Sequence, residues 1–317
     1  MNKPTQIQQI AKGVVCVLGL NPGPFTLEGT NTYLFGEGKQ RLLVDTGDGK
    51  QPKYFDLLRQ CLGSDSRISQ ILLTHWHADH IGGIDNLLAM NDIVTAECSV
   101  FKHQTPIDGD DVSSQLSLAI SQNQLHDIAD RQVFTCENWN LQAVYTPGHT
   151  DDHMSFLVTG EFKDEQRLLL TGDLVLGRGT TIVDKLTLYM DSLKRIQGIQ
   201  PTMLLPGHGP VISGRTDGVY NAMRVIDGYI EHRNMRERQI IAVLKTPPPN
   251  KPPLPRNGDW KIEEITSVVY PDISDPQIIR AAQNNVRLHL EKLEAEGIVE
   301  HRDLWRLKEK SADLIRD

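Results

Sequence analysis

His75-Trp76-His77-Ala78-Asp79-His80 follows the apolar run Ile71-Leu72-Leu73-Thr74 and runs on into Ile81-Gly82-Gly83. Four side chains able to hold a metal lie within these six residues. Residues 68–74 read as a buried strand, so the loop starts from a rigid strand end and alternate residues can converge on one centre. Neutral imidazole and carboxylate suit Zn²⁺, Fe²⁺ or Mn²⁺. Three more candidates follow: His149 in Thr146-Pro147-Gly148-His149-Thr150, Asp173 in Leu170-Thr171-Gly172-Asp173, and His208 in Leu205-Pro206-Gly207-His208-Gly209. Each comes after an apolar segment and a glycine, which permits close backbone approach to a bound group. A lone His or Asp in such a turn reads as a cap; three in this order, after the first cluster, read as one site.

Working outward, residues 14–20, 32–35, 41–45, 94–96, 143–146, 154–158, 167–171 and 203–205 have the β-branched, Gly/Pro-bounded character of strands. Helical spacing predicts helices over 54–61, from 84, over 112–123 and over 186–196, with Leu188, Met190, Leu193 and Ile196 as its burial face. Residues 102–111 read as a polar loop. Strands with helices between them predict an α/β sandwich over residues 1–215. Residues 216–255 read as one or two Arg- and Glu-rich helices within 219–244, then a stretch over 246–256 with six prolines that no helix or central strand tolerates. Residues 256–317 read as helices at 262–269 and 278–296 and a short hairpin at 299–307, a winged-helix-like unit. Its 10 Lys and Arg against 13 Asp and Glu do not form the basic face of a DNA reader, so packing or dimerisation is the plainer expectation.

The chain of 317 residues has 39% hydrophobic and 23% charged residues, an ordinary globular composition. A net charge of −8 argues against a uniformly basic nucleic-acid binder. No apolar run approaches the ~20 residues of a membrane span, so no membrane partner is expected. Cys16, Cys61, Cys98 and Cys136 form no C-x-x-C pair, as in a reducing, intracellular compartment. The first residues carry no apolar signal core and no clear targeting segment.

The ordered set H-x-H-x-D-H, His, Asp, His resembles that of the metallo-β-lactamase superfamily over roughly residues 13–215. The resemblance implies an αββα sandwich with two divalent metal ions, Zn²⁺ first and Fe or Mn as alternatives. It implies His75, His77 and His149 at one ion, Asp79, His80 and His208 at the other, and Asp173 bridging. A bridging Asp there resembles hydroxyacylglutathione hydrolases and RNA-processing nucleases more than true β-lactamases. Further segments narrow the likeness: Asn21-Pro22-Gly23-Pro24-Phe25-Thr26-Leu27-Glu28-Gly29-Thr30-Asn31-Thr32-Tyr33-Leu34, residues 145–154, 172–177 and 206–212, and His232-Arg233-Asn234-Met235-Arg236-Glu237. Together they are similar to the β-lactamase-like protein 2 family, including its C-terminal winged-helix-like unit. That family includes a mitochondrial endoribonuclease acting on single-stranded RNA, so the resemblance implies a mitochondrial setting, with a cytoplasmic one as the alternative. A fungal branch hydrolyses acyl-carrier-protein thioesters. The proline-rich stretch and residues 97–140 depart from the family.

The expectation is therefore a dinuclear metal-dependent hydrolase, first an endoribonuclease cleaving single-stranded RNA and, as the alternative, a thioester hydrolase of acyl-carrier-protein or hydroxyacylglutathione type. Asp79 has a second expected role, to orient the hydroxide or relay a proton. A homo-oligomer is left open, and a scaffold that kept the fold is the non-enzyme alternative. Asp45 is expected to hold a ligand histidine through its ring N–H or to cap a turn. His153 is expected to touch substrate or to be structural. His103, His126, His289 and His301 read as surface or structural. Lys102, Arg178, Lys185 and Arg233 are scattered candidates for phosphate contacts, and His232, Arg233 and Arg236 could meet an anionic group or form a solvated helix face.

Overall fold

The computed structural model describes residues 5–105, 116–122, 124–160, 166–213, 221–248, 259–301 and 304–308. It divides into two units, 1–183 with 188–227, and 184–187 with 228–317. The proline-rich stretch expected over 246–256 lies mostly outside the described residues, as does much of 102–111 and the first part of the helix expected over 112–123.

The first unit is built on two sheets. One runs in the order β1 (Ile7–Ala11), β2 (Val14–Leu18), β3 (Asn31–Phe35), β4 (Gln40–Val44), β5 (Arg67–Leu72), β6 (Val94–Lys102), β7 (Leu125–Asp127). It is antiparallel up to β4 and parallel from β4 to β7. The other sheet contains β8 (Val133–Cys136), β9 (Trp139–Tyr145), β10 (Met154–Thr159), β11 (Leu168–Gly172), β12 (Met203–Pro206) and β13 (Ile212–Ser213), with only β11 and β12 parallel. Alternation decides the layers. Phe35, Leu42, Val44 and Leu72 of the first sheet meet Leu141, Phe156, Leu168, Leu170 and Leu205 of the second in a dry inner core. Leu34, Leu43, Ile68 and Ile71 point the other way, onto helices α1 (Pro52–Leu62), α2 (Ala78–Ile81), α3 (Ile84–Leu88) and α4 (Ser117–Ser121). Helix α1 has Pro52 at its first turn and stops at Gly63, whose φ of 69° a β-carbon would strain.

On the second sheet, Leu169 and Leu204 are fully buried although they alternate out of phase with the inner core. Helix α5 (Leu186–Ile199) lies beside this sheet: Ser192 donates to the Pro147 carbonyl at 2.7 Å and Arg195 to that of Tyr145 at 2.8 Å. Leu188 is exposed, contrary to the expected burial face, and Tyr189 takes its place with its hydroxyl donating to the Leu174 carbonyl. Strand β6 continues to Lys102, beyond the 94–96 expected. Strands β1, β7, β8 and β13 were not foreseen; they are short or lie on sheet edges and leave polar residues exposed.

In the second unit, one unbroken helix, α6 (Ala222–Leu244), carries the chain across the division. Helices α7 (Ile262–Val269) and α8 (Pro276–Ala295) precede the hairpin β14 (Val299–His301) and β15 (Trp305–Leu307). Asp275 caps α8 by accepting from the Gln277 and Ile278 amides. Ile240, Leu244, Trp260, Ile265, Val286, Leu290, Val299 and Trp305 form its core, and the Trp260 indole donates to the Thr246 carbonyl at 2.9 Å.

Candidate metal centre

Strands β4, β5, β9, β11 and β12 share one direction within their sheets, and each delivers its functional residues just past its C-terminal end: Asp45, His75, His149, Asp173 and His208. The chain beyond β5 turns into α2, so His77, Asp79 and His80 lie at the start of that helix. All seven expected ligands come together. His75, His77, His149 and Asp173 form one group, and Asp79, His80 and His208 another; within each group the donor atoms lie within 4.8 Å of one another.

Asp173 stands between the groups. Its Oδ2 is 3.7 Å from His149 Nε2 and 3.4 Å from His208 Nε2, and its Oδ1 is 3.5 Å from His80 Nε2. Gly148 permits the close packing of its loop: a β-carbon there would fall 2.4 Å from Tyr189 Cα.

The residues fit a metal on grounds of proton bookkeeping. His80 Nδ1 faces Asp45 Oδ2 at 2.8 Å, His149 Nδ1 the Ile182 carbonyl at 2.8 Å, and His208 Nδ1 the Gly29 carbonyl at 3.4 Å. His75 Nδ1 faces the Thr74 hydroxyl at 3.0 Å, which itself donates to Asp45. A neutral imidazole has one N–H, and these acceptors claim it. The inward nitrogens then meet lone pair to lone pair: His75 Nε2 is 3.2 Å from His149 Nε2, with His77 Nδ1 3.0–3.1 Å from both, and His80 Nε2 is 3.3 Å from His208 Nε2. Such a geometry is stable only around a cation or with extra protons. Asp173 Oδ1 is likewise buried without a hydrogen-bond partner among the described residues. This donor set can bind metal ions.

Without a cation the two groups ionise differently. Burial and the neighbouring histidines hold His75 far below its usual range, and burial with His149 and His80 brings His77 down to about 4. Burial would lower His80 and His208 too, but the carboxylates outweigh it. Asp79, Asp173 and Asp45 hold His80 well up, and Asp173 and Asp79 raise His208 to about 9. Burial opposes the charged forms of Asp79 and Asp173, yet His80 and His208 keep both far below the carboxylate range.

Asp45 takes the first of its two expected roles. It is buried and accepts from the Thr74 amide at 2.8 Å, the Thr74 hydroxyl at 2.9 Å and His80 Nδ1. His153 is fully buried; its Nδ1 meets the Thr146 hydroxyl at 2.9 Å and its Nε2 accepts from the Asp173 amide at 3.1 Å. It holds the backbone of Asp173 and is closed to substrate. Lys102 is buried against Asp152 at 3.1 Å and Arg233 is also buried, which removes both from the candidate phosphate contacts. Arg178 is exposed and pairs with Glu28, and Lys185 is exposed. Sequence reasoning missed Thr30, whose hydroxyl reaches Asp79; a threonine among the small residues of 29–32 carries no signal of its own.

Fold and site define a buried His and Asp cluster able to bind metal ions, and the comparisons give the family. The chain belongs to the metallo-β-lactamase superfamily, whose family model matches residues 25–208. A β-lactamase-associated winged-helix domain matches residues 262–305. A β-lactamase-like protein 2 homolog of Caenorhabditis elegans is 38% identical over 93% of this chain and 88% of its own length. An atrochrysone carboxyl ACP thioesterase of Aspergillus novofumigatus is 36% identical over 92% of this chain and 82% of its own. Among solved structures, a β-lactamase domain protein from Burkholderia ambifaria superimposes with a TM-score of 0.71 at 18% identity, over 95% of this chain and 93% of that one, a likeness of fold. Among the described residues no helix is long and apolar enough to cross a membrane.

Proposed function

We propose that this chain is a hydrolase working with two divalent ions, Zn²⁺ in the first instance, and that its substrate is an acyl thioester. The observation that carries the two-ion reading is Asp173, whose two carboxylate oxygens face histidines of both donor groups. His75, His77 and His149 would hold one ion, Asp79, His80 and His208 the other, with Asp173 shared. Bound there, the ions supply a water of lowered pKa and polarise the oxygen of the scissile bond. The protein's own part is orientation. Asp45, the Ile182 carbonyl and the Gly29 carbonyl fix three imidazoles, and His153 fixes Asp173. Asp79, with its side chain 23% exposed against 11% for Asp173, is the carboxylate of the set most open to solvent, and so the group placed to take up and pass on a proton.

The thioester reading draws on two supports. One is the relative named as a thioesterase. The other is the side chains on the ligand loops: Phe25, Trp76 and Ile182 are exposed at 73%, 36% and 54%, while Lys102 is buried and the exposed Arg178 is paired with Glu28. An apolar acyl group suits such a surface better than a polyanion. Single-stranded RNA is the second reading. The β-lactamase-like protein 2 likeness favours it, and Phe25 and Trp76 could stack on bases.

The test gives metal-loaded protein and an Asp173→Ala control an acyl-carrier or acyl-glutathione thioester and, separately, labelled single-stranded RNA. Thioester turnover lost in the control supports the first reading. RNA cleavage lost in the control, without thioester turnover, transfers the site to phosphodiesters. Neither activity in protein holding two ions refutes both.

A further inference from the structure

Asp79 is the most exposed carboxylate of the centre and belongs to a helix of four residues, so its own element does little to fix it. One hydrogen bond from outside does. The Thr30 hydroxyl lies 2.9 Å from Asp79 Oδ2, the same oxygen that faces His208 Nε2 at 3.2 Å and His80 Nε2 at 3.3 Å.

The direction of that bond follows from Asn21. The Thr30 amide donates to one end of the Asn21 side chain at 2.9 Å, so that end must be the carbonyl oxygen. The other end is then the NH₂, and it donates to the Thr30 hydroxyl at 3.0 Å. A hydroxyl that accepts from Asn21 has its own proton left to give, and Asp79 is where it goes. Asn21 and Thr30 are both buried, so water does not compete for either group.

The surrounding loop is built to hold this pair. Leu20, next to Asn21, has a φ of 59°, and Leu27 one of 54°, both costly for leucine. The Thr26 hydroxyl closes the loop on the Asn21 carbonyl at 2.6 Å. Asn31 ties the same segment to the His208 turn, its side-chain amide donating to the Pro206 carbonyl at 3.0 Å and the Gly209 carbonyl at 2.8 Å. Thr30 is therefore fixed to the same frame as His208, one of the two histidines that Asp79 must meet.

We propose that Thr30, with its proton aimed by Asn21, is the positioning residue that sets Asp79 for the ion held with His80 and His208. This rests on the two-ion reading above. Thr30 contributes no ligand atom; it limits the rotation of the carboxylate and takes up one lone pair of Oδ2, leaving the other for the centre.

Thr30→Val keeps the shape and removes the hydroxyl. Thr30→Ser keeps the hydroxyl. Asn21→Asp keeps the shape of the amide but places an acceptor where the NH₂ was, which draws the Thr30 proton away from Asp79. The readouts are calorimetric titration of metal-free protein with Zn²⁺, the visible absorption of the Co²⁺-loaded protein, and the thermal midpoint of the metal-free protein. In the wild type two binding steps are expected. Thr30→Val and Asn21→Asp should each weaken one step by about 10- to 100-fold, the range for partners that orient ligands. The other step should stay within twofold, and the absorption of one Co²⁺ ion should change. Thr30→Ser should restore both.

Two steps in Thr30→Val and Asn21→Asp at wild-type affinity overturn the proposal and leave the two-ion reading standing. Equal loss at both steps with a lowered thermal midpoint shows a merely structural role and also overturns it. If Thr30→Val does not fold, Asn21→Asp against Thr30→Ser decides by the same criteria. Wild-type protein that takes up no Zn²⁺ sinks the two-ion reading, and the proposal with it.

Discussion

Asp45→Asn should invert a tautomer at the centre of the site. Asp45 has a φ of 59°, a left-handed conformation that Asn adopts as readily as Asp, so backbone strain does not enter. The amide oxygen can keep the bond from the Thr74 backbone. The new NH₂ then replaces Oδ2, which now accepts from the Thr74 hydroxyl and from His80 Nδ1. Two donors cannot share the His80 contact. The ring must give up its Nδ1 proton and keep one on Nε2, so that Nδ1 accepts from the new amide. Two hydrogen bonds to a charged group, at about 1.5–3 kcal/mol each, are lost, and one neutral bond of about 1 kcal/mol returns. The metal-free protein should lose about 2–5 kcal/mol, a large part of a typical folding stability of about 5–15 kcal/mol. At the site, a protonated Nε2 faces His208 Nε2 at 3.3 Å and can no longer ligate. Urea unfolding of the metal-free variant measures the first effect and Zn²⁺ titration the second. A variant that binds two Zn²⁺ ions within twofold of wild-type affinity would refute the reasoning, because His80 would then owe its tautomer to something else.

Metal uptake should depend on pH unevenly. Without metal His208 stays protonated up to about pH 9 and His80 is also held up, so an ion entering beside them must displace protons. Its apparent affinity should rise with pH by about tenfold per unit for each proton released, the His208 contribution levelling above about pH 9, while the His75–His77 step should change less at neutral pH; calorimetry in buffers of different ionisation heat counts the protons. Gly207→Ala would place a β-carbon 2.4 Å from Asp173 Oδ1 and 2.9 Å from His80 Cε1, so Zn²⁺ stoichiometry by elemental analysis should fall below two. Phe156→Ala, between the sheets at 0% exposure, should cost about 3–5 kcal/mol in urea unfolding and leave Zn²⁺ stoichiometry unchanged.

The ligand loops were legible because their spacing is chemical. His75 to His80 in six residues has few readings, and the lone His149, Asp173 and His208 each follow a strand that apolar content makes visible. Strands β1 and β8 were not legible, since Gln8, Gln9, Val133 and Thr135 face solvent on short segments and local pattern cannot distinguish them from loops. Lys102 looked like a surface cation because composition does not reveal that Asp152, fifty residues on, shares its burial. Leu188 and Tyr189 differ by a single residue of helix phase, which apolar content alone did not resolve. Thr30 was invisible for another reason: its role lies in a hydrogen bond across 49 residues of chain, which no local pattern encodes.

Two of the ligand histidines spend their outer nitrogen on main-chain carbonyls, His149 on Ile182 and His208 on Gly29. Those carbonyls belong to the loops that expose Ile182 and, four residues before Gly29, Phe25. A loop that shifted to suit a different substrate would carry its carbonyl away and release an imidazole. With ions held there, specificity would change more freely by exchanging side chains on loops of fixed path than by changing loop length, which would disturb a ligand. By the same reciprocity, a substrate that tightened either loop would also tighten the hold on an ion bound there.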